Sequence, residues 1–200
     1  MKIIDSISDL EAIYGEQVPN AITKVLTELS PHYQQWIETS RFVILSTVGP
    51  EGTDASPRGD TGSVVRVVDP QTLWMPDWRG NNRIDSLRNI VRDNRVSLMF
   101  MVPGCNNVVR VNGLAQLTAD SDVLNTFEKL KKHPRTVVVV NVKEVYFQCA
   151  KALMRSRLWQ SEDESGLVPT AGQFIKGFNA EIDVDEYDAS YGEYAKTKMW

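Results

Sequence analysis

"RFVILSTVGPEGTDASPRGDTGSVVRVVDPQTLWM", Arg41 to Met75, decides the fold. β-Branched and apolar residues fill "RFVILSTV", "SVVRVV" and "TLWM", and the intervening "GPEGTD" and "DPQT" are turn chemistry. Three strands are predicted here, with no room for a helix between them. A doubly wound sheet would alternate strands with helices of roughly 10–15 residues, so that architecture is excluded. The expected fold class is mainly β with helices (α+β), an antiparallel barrel with helical trimmings.

Outward from this stretch the pattern continues. A helix is predicted over Ile84 to Arg92, with Ile84, Leu87 and Ile90 or Val91 as its buried stripe. "RVSLMFMV" is a strand, "PGCN" a turn, and "NVVRVNGLAQLTA" a pair of strands at the centre of a meander. Asp120 and Ser121 then offer caps to a helix carrying Val123, Leu124, Phe127 and Leu130 on one face, closed by Lys129, Lys131, Lys132 and the His133-Pro134 stop. "TVVVVNVKEVYFQC" supplies a last strand or pair, and "AKALMRSRLW" a short helix. On the other side, Ile7 to Thr39 repeats apolar residues at helical spacing, with Pro19 and Pro31 as breaks or first-turn residues. The expected organisation is therefore an N-terminal helical segment (1–39), a barrel (40–160) and an acidic, irregular C-terminal extension (161–200) whose end is a dimer arm or a frayed tail.

The chain has 200 residues, 42% hydrophobic and 24% charged, with a net charge of -4, the balance of a soluble globular protein. An acidic balance argues against nucleic acid as a partner. The start "MKIID" lacks the apolar run of a signal peptide, and no stretch approaches the roughly 20 apolar residues of a membrane helix. Cys105 and Cys149 have no CxxC spacing, and His32 and His133 stand alone, so no metal site is expected. A cytoplasmic protein with reduced thiols is the expectation.

Two stretches suggest a ligand. Asn81 or Asn82 falls at the cap of the Ile84 helix, with Arg83 in its first turn. A cation opposes the helix dipole there unless an anion shares the site, and backbone N–H groups, an amide and a guanidinium together make a phosphate seat. The alternative is a simple cap with Arg83 in solvent. In "SPRGDTG", Ser56 to Gly62, glycines interrupt what should be the second barrel strand, which marks either close backbone approach to a ligand or a plain bulge. Arg110, among valines in "VVRVNG", faces either the ligand or solvent.

Taken in order, "RFVILSTVGPEGTDASPRGD", "TLWMPDWRGNNRIDSLRNIVRDNRVSLMF" and "VVRVNGLAQLT" resemble the FMN-binding split-barrel family of pyridoxamine 5'-phosphate oxidase and its relatives. "FQCAKALMRSRLW", Phe147 to Trp159, is similar to an uncharacterised flavoprotein branch of that superfamily. The resemblance implies FMN as cofactor, held at the interface of a homodimer, and an FMN-dependent oxidoreductase acting on a small-molecule substrate. It places Ser56, Pro57, Arg58, Gly59, Asp60 and Thr61 along the flavin and Asn81, Asn82 and Arg83 at its phosphate. Asn82 stands where the family has a basic residue, so Arg58 or Arg110 is expected to compensate. Lys151 and Arg155, one helical turn apart, reach the flavin or an anionic substrate, or else stay solvated while Leu153, Leu158 and Trp159 pack.

The departures bear on activity. Gly62 occupies the position of a family lysine, and the oxidase's C-terminal arginine and histidine have no counterpart, so authentic pyridoxamine-phosphate oxidation is not expected. No catalytic residue is assigned, and Asp60 and Arg155 are the first to substitute. The alternative function is non-catalytic binding or storage of FMN, a deazaflavin or haem, with the scarcity of histidine arguing against haem.

Overall fold

The computed structural model describes residues 1–16, 18–149, 151–160 and 162–199, with Asn20 and Ala21 described in their backbone alone. Ala150 in the predicted short helix, Ser161 at the expected start of the extension and Trp200 lie outside the described residues.

Three helices open the chain, α1 (Ile7–Tyr14), α2 (Pro19–Thr23) and α3 (Pro31–Thr39), and Pro19 and Pro31 both sit in first turns, where a missing N–H costs nothing. Seven strands follow: β1 (Phe42–Gly49), β2 (Gly52–Gly59), β3 (Arg66–Asp69), β4 (Thr72–Asp77), β5 (Arg95–Met101), β6 (Asn107–Thr118) and β7 (Thr136–Cys149). Helix α4 (Asp85–Arg92) lies between β4 and β5, and α5 (Ser121–Leu124) between β6 and β7. After β7 come α6 (Lys151–Ser156), a 3-10 turn (Ser165–Leu167), α7 (Ala171–Lys176) and α8 (Val184–Lys196).

The strands form one antiparallel sheet in the order β2-β1-β5-β6-β7-β4-β3. Between β2 and β4 lie five strand spacings, roughly 24 Å in a flat sheet. Yet Arg58 of β2 is ion-paired directly to Asp77 of β4, so the sheet is rolled until its margins face each other. The roll stays open, because β2 and β3 are edges and do not pair. The second half of β4 lacks β3 as a neighbour, and Pro76 falls in that half, where a missing ladder donor is tolerated.

Alternation explains the interior. Val43 and Leu45 of β1, Leu98 and Phe100 of β5, Val109 and Val111 of β6, and Val138 and Val140 of β7 point into one core, closed by Ile37 of α3 and by Leu87 and Ile90 of α4. A second small cluster on the other face joins Met101, Val108, Ile44 and Met99 to Leu153 of α6 and to Trp159.

Several local expectations are corrected. The β1–β2 turn is shorter than "GPEGTD", because pairing resumes at Gly52. Of "SVVRVV" only Arg66 onward is strand; Val64 and Val65 are drawn into the core instead, with Val64 N–H donating to Ser40 O. "NVVRVNGLAQLTA" is one long strand rather than two, bent by a register shift between Asn112 and Gly113. A Cβ on Gly113 would lie 2.4 Å from Asn141 O, so the bend requires glycine. The helix expected after Asp120 spans four residues only. Phe127 is pulled inward under the Arg66 guanidinium and against Trp74, and the chain then turns tightly through Leu130 and Lys131, both at positive φ, with Lys129 and Lys132 exchanging backbone hydrogen bonds. On α4, Ile84 and Val91 are exposed while Leu87 and Ile90 carry the contact. The C-terminal extension, expected to be irregular, contains α7 and α8, joined where Gly172 N–H donates to Asp188.

Candidate functional site

The open margin of the barrel is a cleft of about 1060 Å3. Its walls come from the end of β2, the end of β4, the turn into α4 and the start of β7, with Tyr191 and Met199 from the C-terminal extension. Residues 56–60 and 81–83, singled out from the sequence, all line it. Thr61 stands just outside the lining and bonds to Asp60. Arg110 does not line the cleft; its guanidinium lies over the Tyr146 ring at 5.3 Å. Lys151 and Arg155 are exposed on α6, away from the lining, while Leu153 and Trp159 pack.

The turn into α4 is not capped in the predicted way. Ile84 is the N-cap, in left-handed conformation at φ 52, and no side chain caps the helix. Asn82 is also at positive φ, 60. Such a conformation for a β-branched residue costs roughly 1–3 kcal/mol and persists only where surrounding structure enforces it. The double reversal turns both amides away from the helix. Asn81 Oδ1 accepts from Arg83 N–H at 3.1 Å, and Asn82 Oδ1 accepts from Arg135 Nη1 at 3.0 Å. Arg83 Nε donates to Asp85, which raises the arginine's pKa above its ordinary value and neutralises it in part. Ser86 Oγ donates to Asp54 on β2, tying α4 to the sheet.

Asp60 is a structural anchor. Its side chain is 4% exposed, and it accepts from Lys129 Nζ at 2.8 Å, Trp78 Nε1 at 3.2 Å and Gly62 N–H at 3.3 Å. Burial alone would raise its pKa; the bonds from Lys129, Gly62 and Thr61 overcome this and hold it below its ordinary value. It therefore stays ionised and pins the loop after β2 to Trp78 and to the turn before β7.

Four arginines and four aspartates line the cleft. Arg58 pairs with Asp77, Arg83 with Asp85, and Asp60 with Lys129. Arg79 and Arg135 have no carboxylate partner among the described residues. Arg58 Nε and Thr136 Oγ1 are buried and make no hydrogen bond, although both residues line the cleft. Buried donors without partners are rare; a third, Trp36 Nε1 of α3, lies outside the cleft lining. Arg79, Arg135 and Thr136 were missed from the sequence, since Arg135 reaches Asn82 across 53 positions and no local pattern marks it. Among the described residues no cluster of three or more His, Cys, Asp or Glu could hold a metal ion, and no helix is long and apolar enough to cross a membrane.

The pyridoxamine 5'-phosphate oxidase family matches residues 29–149, more than half of the chain. The chain belongs to that family. The matched part of this pyridoxamine 5'-phosphate oxidase family member holds α3, the whole sheet, α4 and α5. It leaves α1, α2, α6, α7 and α8 outside, so Tyr191 and Met199 reach the cleft from beyond the matched part. Among solved structures, HupZ of Group A Streptococcus superposes with a TM-score of 0.50 at 14% identity, covering 61% of this chain and 95% of its own. An FMN-binding protein from Syntrophomonas wolfei gives a TM-score of 0.45 at 12% identity over 57% of this chain and 82% of its own. General Stress Protein 26 from Bacillus anthracis gives 0.44 at 19% identity over 56% and 88%. At 14% identity the HupZ superposition speaks to fold alone. No curated protein matches the chain.

Proposed function

We propose that the cleft is an FMN site and that the protein is an FMN-dependent oxidoreductase acting on a small molecule. The observation that carries this reading is the convergence, on one cleft of a pyridoxamine 5'-phosphate oxidase family chain, of the Asn81–Asn82–Arg83 turn with Arg58 and Thr136, whose buried donors lack protein acceptors. The donor set fits a phosphorylated, polyhydroxylated ligand: guanidinium groups for a dianion, and amide, hydroxyl and backbone groups for a ribityl chain. Asn81, Asn82, Arg83 and Arg58 would hold the phosphate, with Arg135, bonded to Asn82, as the cation that replaces the family's missing basic residue. Pro57, Gly59, Asp60 and Trp78 would line the ring.

Bound FMN would supply two-electron redox chemistry that no side chain here provides. The protein's own part is to bind and orient. Asp60, fixed as an anion by Lys129 and Trp78, keeps the loop after β2 in place, and the Arg58–Asp77 pair holds the cleft's two walls at a set distance. Cytoplasmic location, a homodimer with the flavin at its interface, and a barrel (40–160) flanked by helical segments (1–39 and 161–200) complete the proposal.

The deciding experiment is the visible spectrum of the purified protein. A yellow preparation that releases FMN on denaturation supports the reading, and a colourless one that ignores added FMN overturns it. Stopped-flow reduction of the loaded protein by NADH or NADPH then separates turnover from storage.

A further inference from the structure

The C-terminal extension returns to the cleft without a core of its own. Helices α7 and α8 meet where Gly172 N–H donates to Asp188 Oδ1 at 2.8 Å, and a Cβ on Gly172 would come within 2.9 Å of that carboxylate. Each helix is finished locally. Thr170 and Gln173 form a reciprocal capping box on α7, and the Asp183 side chain accepts from Glu186 N–H at the start of α8. Yet Gly172 is the only buried residue among the described residues of 162–199. Leu167, Val168, Phe174, Phe178, Tyr191 and Tyr194 are all exposed. A 13-residue helix that buries no side chain is marginal in water, because helices in proteins owe most of their stability to packing. What α8 rests against therefore decides whether it stays in place.

It rests against the cleft. Tyr191 of α8 and Met199 beyond its end complete a wall otherwise made by β2, β4, the turn into α4 and the start of β7. The Tyr191 ring is stacked on that of Tyr187, one turn earlier, with centroids 5.7 Å apart and planes 24° from parallel, which braces it. With 48% of its surface accessible, Tyr191 has room for a second partner. Neither Tyr191 nor Met199 belongs to residues 29–149, the stretch shared with the family, so this wall is an addition of this chain.

We infer that the α7–α8 hairpin is a lid on the cleft and that Tyr191 is its ligand-contacting residue, stacking its phenol ring on the planar ring of the bound flavin. The inference rests on the flavin reading above and deepens it. A ligand that touches both the barrel and α8 supplies the packing the hairpin lacks, so cofactor binding and ordering of α8 are linked. The same closure restricts which molecules reach the ring.

Amide hydrogen exchange and flavin titration of the full chain test this. FMN is expected to slow exchange in residues 184–196 by roughly 5-fold or more. Tyr191→Leu is expected to remove most of that protection and to weaken FMN and riboflavin by the same factor, roughly 3- to 10-fold, since the lost contact is with the ring and not the phosphate. Leucine forms helix at least as well as tyrosine, so melting of α8 does not account for such a loss. Tyr191→Phe should keep both the protection and the affinity, and Tyr194→Leu, on the same helix but outside the cleft lining, should change neither. Unaltered exchange in α8 on adding FMN, wild-type binding of both flavins by Tyr191→Leu, a loss confined to FMN, or an equal loss in Tyr191→Phe each overturns the inference. A chain that takes up no FMN sinks the flavin reading instead. Exchange in residues 79–85 of the ligand-free chain then decides the lid: faster exchange in Tyr191→Ser than in the wild type keeps it, and equal rates overturn it.

Discussion

Arg58, on one margin of the rolled sheet, is ion-paired to Asp77 beside the other margin, with 21% and 17% of their side chains exposed. No backbone hydrogen bonds join β2 to β4, so this pair spans the split and sets the width of the cleft.

Loss of Asp77 leaves a largely buried guanidinium unpaired, with its Nε already lacking a partner. Asp77→Ala is expected to cost about 1–3 kcal/mol of stability, read from the midpoint of urea unfolding. Arg58→Ala should cost a similar amount, because Asp77, the more buried partner, is then the unpaired charge. A double-mutant cycle should show a coupling of about 1 kcal/mol, and a coupling near zero would mean the margins are held by something else.

Asp60 makes stability depend on acid pH. Burial pushes its pKa up, but the hydrogen bonds from Lys129, Gly62 and Thr61 prevail, so the folded value lies below the ordinary 3.8. A carboxyl with a depressed folded pKa contributes stability that is fully present above its unfolded value and lost as pH falls through the folded one. Unfolding midpoints measured from neutral pH down to about pH 2 should therefore fall more shallowly below about pH 4 in Asp60→Asn than in the wild type. The variant should also be less stable at neutral pH, where the Lys129 ion pair is lost. Parallel acid limbs would remove Asp60 from this role.

Arg83 and Asp85 predict opposite changes in cofactor affinity. Arg83→Ala is expected to weaken FMN by about 1.5–3 kcal/mol while leaving riboflavin, which lacks the phosphate, unaffected. Asp85→Asn releases Arg83 from its carboxylate and should tighten FMN. Fluorescence titration with both flavins checks the pair. Equal losses for FMN and riboflavin in Arg83→Ala would place the phosphate elsewhere.

Gly113→Ala tests the bend in β6. The added methyl meets Asn141 O at 2.4 Å, so β6 and β7 must separate at the register shift. A loss of about 1–3 kcal/mol is expected in chemical denaturation. An unchanged midpoint would show that the bulge relaxes freely.

Much of this protein was legible residue by residue. Strands announce themselves through alternation, because successive side chains of an extended chain face opposite sides, and the turns at Pro50-Glu51, Pro70-Gln71 and Pro103-Gly104 declare themselves by composition. Local signals also pointed to residues 56–60 and 81–83, since glycine inside a strand and amides before a helix are departures from what a plain core needs. They did not reveal how the amides are used. Asn82 and Ile84 turn left-handed under tertiary constraint, and the cap expected from Asn is not formed.

The amino-acid order by itself determined the antiparallel α+β plan and the two stretches that line the cleft. Only tertiary structure decided that Arg135 meets Asn82, that Arg58 meets Asp77, and that Arg79, Lys132 and His133 surround one small cavity. The reason is geometric. Those contacts depend on how far a seven-stranded sheet rolls, which is a sum of strand twists and core packing over the whole chain and leaves no trace in the spacing of any two residues.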